Sequence, residues 1–330
     1  MKRVLLTGGA GFIGSHTVEH LLQKTDWQIV ILDRLTYAGN LNYLADMKEW
    51  ETEKGRVSFV FHDFRAPVSV TTSKLIGQID YIIHMGAESH VDRSIDDPGI
   101  FAESNVLGTV NMLNFAQERQ VEKFIYISTD EVYGAVSGNK LHKEGEPHKP
   151  SNPYSASKAG AEDFCYAFRK TFDMPIIITN GMNMFGERQN AEKFVPKTVK
   201  CILENKLVTV HCKKEGDKVV DISSRCWLHA RNYSDGILYL LTHDVKDNQY
   251  NIVGDRYDVE QMAYMIGAII GKKPELNFID FHSFRKGHDM HYGLDGTRMK
   301  EAGWTPPVEF HSSLEHTVRW MMKNPKWLNL

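Results

Sequence analysis

The chain opens on a short run of β-branched and leucine residues, Val4 to Thr7, followed at once by glycines and then by helically spaced apolar positions from Ile13 to Leu22. This order predicts a buried strand, a tight turn and a helix. Gln28 to Leu32 repeats the strand signal and ends on Asp33. Val57 to Phe61, Tyr81 to His84 and Phe124 to Ser128 are further short apolar runs, set apart by helix-length segments. Strands covered on both faces read as continuous apolar runs, so the succession predicts a doubly wound parallel α/β sheet.

A helix is expected from Tyr154 to Thr171, and another buried strand from Pro175 to Thr179. After Gly181 the pattern loosens into loops rich in Asn, Glu and Lys, with an amphipathic segment from Val195 to Leu203 and short strands near Leu207 to His211. Residues 1–180 are read as a cofactor-binding domain that also carries the catalytic groups, and 181–330 as a smaller α/β substrate lobe. Tyr250 to Val253 is a candidate to rejoin the main sheet, which leaves that boundary fuzzy.

At 330 residues, with 25% charged and 42% hydrophobic positions, the chain can bury a sizeable core. A net charge of -3 offers no polycationic face for nucleic acid or anionic lipid, so small-molecule chemistry is expected. Cys165, Cys201, Cys212 and Cys226 form no CxxC pair, and no His/Cys cluster has zinc-ligand spacing; reduced structural thiols and no metal are expected. The opening MKRVLLTGG is too brief for a signal segment, and no apolar stretch reaches about 18 residues, so a cytoplasmic protein is expected.

Gly8, Gly11 and Gly14 stand three apart in TGGAGFIG, between the first strand and the first helix. Glycine permits positive φ at the turn and lets backbone N–H groups approach a pyrophosphate, whose charge the helix N-terminus favours. Phe12 and Ile13 sit in the same turn. Asp33, ending the second strand about 20 residues on, can bond the adenosine ribose hydroxyls of a dinucleotide in a Rossmann-type site. Its carboxylate would repel a 2′-phosphate and so points to NAD, while Arg34 beside it is the residue that speaks for NADP. Asp63, ending the third strand, is placed either to accept from the adenine amino group or to cap its own turn.

Tyr154 and Lys158 lie four apart on a predicted helix and share a face. An ammonium beside a phenol favours the phenolate, bringing a group of pKa about 10 toward use as a base. Ser128-Thr129-Asp130-Glu131-Val132-Tyr133-Gly134 follows a buried strand and so lies at its carboxyl end, where ligands bind in open α/β sheets. Two adjacent carboxyls there suit an elimination, one as acid toward a leaving hydroxyl and one as base toward a carbon-bound proton.

Together these residues resemble the extended short-chain dehydrogenase/reductases and, within them, the nucleotide-sugar 4,6-dehydratases. The likeness runs nearly end to end, through TGGAGFIG, DRLTYAGNL at 33–41, AESHVDRS at 87–94, STDEVYG at 128–134 and YSASK at 154–158, with further matches at Gly287-His288-Asp289, Gly303-Trp304 and Thr317 to Trp320. It implies that Tyr154 takes the C4 hydroxyl proton while hydride leaves C4 for NAD, with Thr129 holding that oxygen and Lys158 on the cofactor ribose. Glu131 would then remove the C5 proton, Asp130 would protonate the departing C6 hydroxyl, and the hydride would return to C6. It further implies cofactor contacts from Leu35, Thr36, Ala38, Gly39, Phe64, Met85, Gly86, Ala87, Ser89 and Ser104.

By the same resemblance Ser89, Thr129, Asn183, Glu192, Lys193, Phe194, Val210, His211, Arg225, His291 and Tyr292 are the substrate set, and a homodimer is expected. Lys193 and Arg225 suit a diphosphate. The departures fall on the nucleotide side. NNYGP reads Asn183 to Glu187 here, His211 stands where the family has tyrosine, and RDW reads Arg225-Cys226-Trp227. Met290-His291-Tyr292 replaces two arginines before a tyrosine, and Cys212 to Ser224 is expected as a loop longer than the family's. A UDP-sugar 4-epimerase or UDP-glucuronate decarboxylase would share the cofactor turn but would not need Asp130, and a non-catalytic NAD-binding module would be expected to lose Tyr154 or Lys158.

Overall fold

The computed structural model describes residues 1–138, 140–281 and 289–330. Gly287 and His288 lie outside the described residues. Seven strands, all parallel, form the large sheet: β1 (Arg3–Thr7), β2 (Gln28–Asp33), β3 (Val57–Phe61), β4 (Tyr81–His84), β5 (Lys123–Thr129), β6 (Ile176–Gly181) and β11 (Gln249–Ile252), in the order β11-β6-β5-β4-β1-β2-β3. The chain fills the sheet outward in two directions from β1, and the reversal between β1 and β4 opens a crevice at the carboxyl ends. Alternate residues serve opposite faces. Leu5, Val30, Ile82, Phe124 and Ile176 join Met112 and Leu113 on one side, while Val4, Ile29, Ile83, Ile125 and Ile177 join Leu21 and Leu240 on the other. Both faces are dry, hence the continuous apolar runs.

Two segments beyond residue 180 belong to this layer. Tyr250 and Ile252 of β11 pair with Thr179 and Gly181 of β6. The helix Ala230–Thr242 packs on Phe12–Lys24, with Thr17 Oγ1 at 2.9 Å from Ser234 Oγ.

The remaining elements build a lobe over the carboxyl ends. β7 (Met184–Phe185), β10 (Ser224–His229) and β12 (Asp255–Asp258) make one small sheet, and β8 (Val208–Glu215), β9 (Lys218–Ile222) and β13 (Leu276–Asp280) another. Its core joins Val195, Val199 and Ile202 of Phe194–Leu203 to Met262 and Ile266 of Val259–Ile270 and Leu314 and Val318 of Phe310–Lys323.

The segment expected as a long loop, Cys212 to Ser224, is instead mostly the antiparallel hairpin of β8 and β9. Glu215 pairs with Lys218 across Gly216 and Asp217, and Gly216 takes φ +62°, which a two-residue hairpin turn favours. Inward Val208, Val210 and Cys212 alternate with Thr209, His211 and Lys213. The polar run KKEGDK hid the hairpin because β9 lies largely on the surface and carries no apolar alternation of its own.

Candidate active site

The glycine turn closes by Gly11 N–H donating to Gly8 O at 3.1 Å, and the helix Phe12–Lys24 begins with no side chain capping it. Its first N–H groups therefore face the crevice, as an anion site requires. Gly8 has φ +72°, and a Cβ there would lie 2.7 Å from Gly86 Cα; at Gly14 it would lie 2.1 Å from Gly8 O. Gly86 in turn rests on the Phe64 ring, 2.5 Å from where its own Cβ would be. Phe64 is thus a buried wedge that spaces two backbone segments, and Met85 and Ala87 border it only partly buried. Thr7 Oγ1 accepts from Gly86 N–H and bonds His84 Nδ1 at 2.7 Å, with His84 Nε2 at 3.1 Å from Thr109 Oγ1. Burial, reinforced by Lys158, holds His84 down at about 3, so it is a neutral spacer. The sequence reading missed this post.

Asp33 is buried, its Oδ2 accepting from Ala10 N–H at 3.0 Å and its Oδ1 from Leu35 N–H at 2.8 Å. The loop after it folds back over the glycine turn through Asn40 N–H to Ala10 O and Gly39 N–H to Thr36 O, both 2.9 Å. Leu35 takes φ +54°, an uncommon left-handed conformation for a side-chain-bearing residue, and Ala38 is partly buried beside Gly39. Arg34 turns away from the turn and bonds two carboxylates, Glu88 at 2.7 Å and Asp63 at 3.2 Å. Asp63 also accepts from Arg65 N–H at 3.0 Å, so it caps its own turn. Burial alone would raise its carboxyl, but Arg65 and Arg34 hold it down at about 2. Ser104 lies buried in a widened helical turn, Ala102–Leu107, beside Asn105, whose amide bonds both Glu88 backbone groups and Ser157 Oγ. Such π-turns recur at functional sites; this one ties the 87–89 segment to the helix Pro153–Phe172.

Tyr154 and Lys158 share the helix Pro153–Phe172, which is fixed by a reciprocal cap between Asn152 and Ser155. Lys158 Nζ donates to Ile127 O at 2.5 Å and stands 4.3 Å over the Tyr126 ring. Burial lowers its pKa to about 8. Burial, followed by the Glu131 charge, pushes the Tyr154 phenol far above the ordinary tyrosine value, against an opposing effect from neighbouring Thr129. This runs opposite to the activation expected from the lysine alone: two carboxylates and a dry setting outweigh one cation that is engaged elsewhere. Thr129 Oγ1 donates to Asp130 Oδ1 at 3.0 Å. Burial, then Glu131, raises Asp130 to about 7; burial raises Glu131 as well, against bonds from Asn152 and Tyr292. An acid that keeps its proton near neutrality thus stands beside a carboxylate held by two donors.

Asp130 and Glu131 open into a cavity of about 280 Å³ between the large sheet and the second lobe. Of the expected substrate set, Ser89, Asn183, Glu192, Lys193, Phe194, His211, Arg225 and Tyr292 line it. Thr129 lies beneath, joined through Asp130. Val210 does not line it and is fully buried in the lobe's core, while Val208, Thr209 and His211 of the same strand do line it. His291 does not line it either and bonds Asp221 and Ser224 instead. His90, Val91, Asp92, Lys197, Thr198, Cys201, Thr209 and Trp227 line the wall without having been foreseen. AESHVDRS was a signal for the first three; Cys201 and Thr209 gave none, because helix and strand spacing cannot say which face meets a cavity. Among the described residues, no group of three or more His, Cys, Asp or Glu is placed to hold a metal ion.

The family model described as GDP-mannose 4,6 dehydratase matches residues 5–317. The dTDP-glucose 4,6-dehydratase of Shigella flexneri is 33% identical over 351 residues, covering 99% of this chain and 94% of that protein. The low-salt glycan biosynthesis protein Agl12 of Haloferax volcanii is 36% identical over 317 residues, covering 96% of this chain and 97% of its own. Among solved structures, the dTDP-glucose 4,6-dehydratase DesIV of Streptomyces venezuelae, with NAD and TYD bound, is similar at TM-score 0.86 and 34% identity over 98% of both chains. The UDP-glucose 4-epimerase of Thermus thermophilus, in complex with NAD, follows at 0.85 and 27%, over 97% of this chain and 99% of that one. With the matched region running from the glycine turn through Tyr154 and Lys158 into the last long helix, the chain belongs to the GDP-mannose 4,6 dehydratase family, among the nucleotide-sugar dehydratases of short-chain dehydrogenase/reductase type.

Proposed function

We propose that the chain is an NAD-dependent nucleotide-sugar 4,6-dehydratase, a hydro-lyase acting on a dTDP-glucose or UDP-glucose type substrate. The relatives named dTDP-glucose 4,6-dehydratase, three of whose structures hold NAD, support the reaction class and the cofactor. The glycine cradle and the Asp33 carboxylate fit a dinucleotide. Arg34, engaged by Glu88 and Asp63, is not offered to a 2′-phosphate beside Asp33, which favours NAD. When bound, the nicotinamide takes up and gives back a hydride.

The chain's own residues supply the rest. Tyr154, beside Thr129, would take the C4 hydroxyl proton as a phenolate, a form that the cationic nicotinamide, when bound, would favour against the burial that otherwise keeps the phenol protonated, and Lys158 would hold the cofactor ribose. The 4-ketone so formed acidifies C5. Glu131 draws off the C5 proton as Asp130 gives its proton to the C6 oxygen, which leaves as water; the hydride returns to C6 and Glu131 returns its proton to C5. Lys193 and Arg225 face the diphosphate.

The observation that carries this reading is the pairing of Asp130, kept protonated near neutrality, with Glu131 in one cavity beside Tyr154. A 4-epimerase shares the fold, as the Thermus structure does, but has no task for an acid at Asp130. The test is incubation with dTDP-glucose, UDP-glucose, GDP-mannose and CDP-glucose, reading the alkali-induced absorbance of a 4-keto product. No 4-keto-6-deoxy sugar from any of them refutes the dehydratase, and a 4-epimer in its place supports the sister enzyme.

By the same proposal the protein works as a homodimer in the cytoplasm. Leu107, Phe164 and Phe172 stay 48%, 42% and 48% exposed on or beside the helices Gly108–Arg119 and Pro153–Phe172, an apolar face suited to a second copy. All four cysteines are free thiols, as a reducing compartment keeps them. Among the described residues no helix is long and apolar enough to cross a membrane. Light scattering on the intact protein reads the dimer.

A further inference from the structure

Asp289 to Tyr292 runs as a short extended strap along the edge of β10. Ser224 N–H donates to Met290 O at 3.3 Å and Tyr292 N–H to Ser224 O at 3.4 Å, which is parallel pairing of Ser224 with His291. On its cavity side the strap aims two groups. The Arg225 guanidinium donates to Asp289 O at 2.9 Å, to Met290 O, and to Ser224 O at 2.7 Å, and it lies 4.6 Å over the Tyr292 ring. The Tyr292 hydroxyl donates to Glu131 Oε2 at 3.4 Å and accepts from Asp289 N–H at 3.1 Å. A slip of the strap would therefore move the diphosphate-facing cation and a donor to the base together.

His291 occupies the other side, since neighbouring residues of an extended segment point opposite ways. Its Nδ1 lies 2.9 Å from Ser224 Oγ and its Nε2 2.8 Å from Asp221 Oδ2, near the end of the β8–β9 hairpin. Ser224 Oγ also accepts from Arg256 at 3.1 Å. The imidazole thus ties the strap to the junction between the hairpin and β10, where Asp221 lies near the end of one and Ser224 begins the other, about seventy residues earlier in the chain. Asp221 is half exposed, so the charge pair adds little stability. What two bonds on opposite edges of one ring do fix is register.

We propose that His291 is a positioning residue. Clamped between Ser224 and Asp221, it holds the strap so that Arg225 meets the substrate diphosphate and Tyr292 meets Glu131. The hairpin is thereby part of the substrate site although only the Val208 to His211 end of it reaches the cavity. This rests on the nucleotide-sugar reading above for the identity of the ligand. Small displacements of a binding cation carry large penalties, so the clamp acts on affinity more than on folding.

The experiment uses the NAD-loaded protein and the variants Asp221→Ala, His291→Ala, their double, and Asp221→Asn. Calorimetric titration with dTDP, UDP and inorganic pyrophosphate gives Kd, and turnover of the accepted sugar nucleotide gives KM and kcat. Each alanine variant is expected to weaken diphosphate binding and raise KM by about five- to tenfold, the size of one coupled contact, while the double goes no further than the worse single. Asp221→Asn, whose amide oxygen still accepts from the imidazole N–H, stays within about twofold of wild type, as does NAD affinity in every variant. A loss in His291→Ala without one in Asp221→Ala, or effects that multiply in the double, would mean that His291 touches the ligand itself and overturns the clamp. An Asn variant as weak as the Ala variant also overturns it. The clamp is read from diphosphate binding and the function from the 4-keto product, so the two fail separately.

Discussion

Replacing Asp130 with Asn should make the protein more stable and less active, with a stability gain that is absent at about pH 4 and grows until about pH 7. The carboxyl is buried, and burial together with Glu131 lifts it from 3.8 to about 7. A folded pKa raised above the unfolded one means that the native state binds the extra proton. Its stabilisation is fully present below about pH 4 and is lost as pH rises toward 7. At about 1.36 kcal/mol per pH unit, the ionised carboxylate costs the native state roughly 4 kcal/mol above pH 7, a ceiling because Glu131 titrates with it. Asn keeps the bond from Thr129 Oγ1, since its amide oxygen accepts as the carboxyl does, but carries no charge to bury. Urea unfolding of both proteins at about pH 4, 5.5 and 8 should give stabilities that converge at the acid end. At the alkaline end they should separate by at least about 1 kcal/mol in favour of Asn. Elimination should slow by about 10²- to 10⁴-fold as the acid is lost, while C4 oxidation persists as an NADH-like absorbance transient. A stability difference that is the same at all three pH values would refute the buried-charge account, and C4 oxidation lost in equal measure would refute the role of Asp130.

The wild-type elimination rate should itself fall as pH rises through about 7, where Asp130 gives up its proton, and rapid-quench measurement of the 4-keto product across pH reads this. In Gly14→Ala the new Cβ would lie 2.1 Å from Gly8 O, so the turn must open; NAD affinity by fluorescence titration should fall by more than about tenfold. Tyr154→Phe removes the proton acceptor and leaves the ring, so kcat should drop by about 10²- to 10⁴-fold with NAD affinity unchanged. Asp33→Ala orphans the Ala10 and Leu35 N–H groups. It should lower stability by about 1–3 kcal/mol in thermal unfolding and erase the preference for NAD over NADP in competition titrations.

What could be read from the sequence was what the chain settles locally or by burial on both sides. Val4 to Thr7, Gln28 to Asp33 and Tyr81 to His84 announced themselves because the sheet is covered on both faces, and the glycine turn because its spacing is a backbone requirement. The hairpin of β8 and β9 was missed because it gains its order from pairing with β13, more than sixty residues on, while its outer strand stays wet. Val210 and His291 were misplaced for a related reason. A likeness of sequence says that a residue borders a site, but only the packing decides which side chains reach the cavity wall, as Val208 and His211 do, and which stay in the core, as Val210 does. The sign of the Tyr154 shift was equally out of reach, since it depends on how deeply Asp130 and Glu131 are buried beside the phenol.

The same distinction explains how a strand from the second half of the chain comes to flank the catalytic one. Glu162, two turns beyond Tyr154 on one helix, is fully buried and accepts from Ser128 Oγ at 2.6 Å, Gln249 Nε2 at 2.6 Å and Asn180 Nδ2 at 3.3 Å. A buried carboxylate is tolerable only with its lone pairs satisfied, and here the donors come from β5, β6 and β11. Ser128 immediately precedes Thr129, so the network that satisfies Glu162 also sets the height of Thr129 and Asp130 at the end of β5. Asn180 Nδ2 adds a bond to Thr129 O at 3.1 Å. Gln249, on β11, is what makes this closure possible: its amide reaches Glu162, Asn180 Oδ1 and the Tyr133 hydroxyl together. The return of the chain to the large sheet therefore completes the support beneath Thr129 and Asp130, and a cut near residue 180 would separate Gln249 from the carboxylate it satisfies.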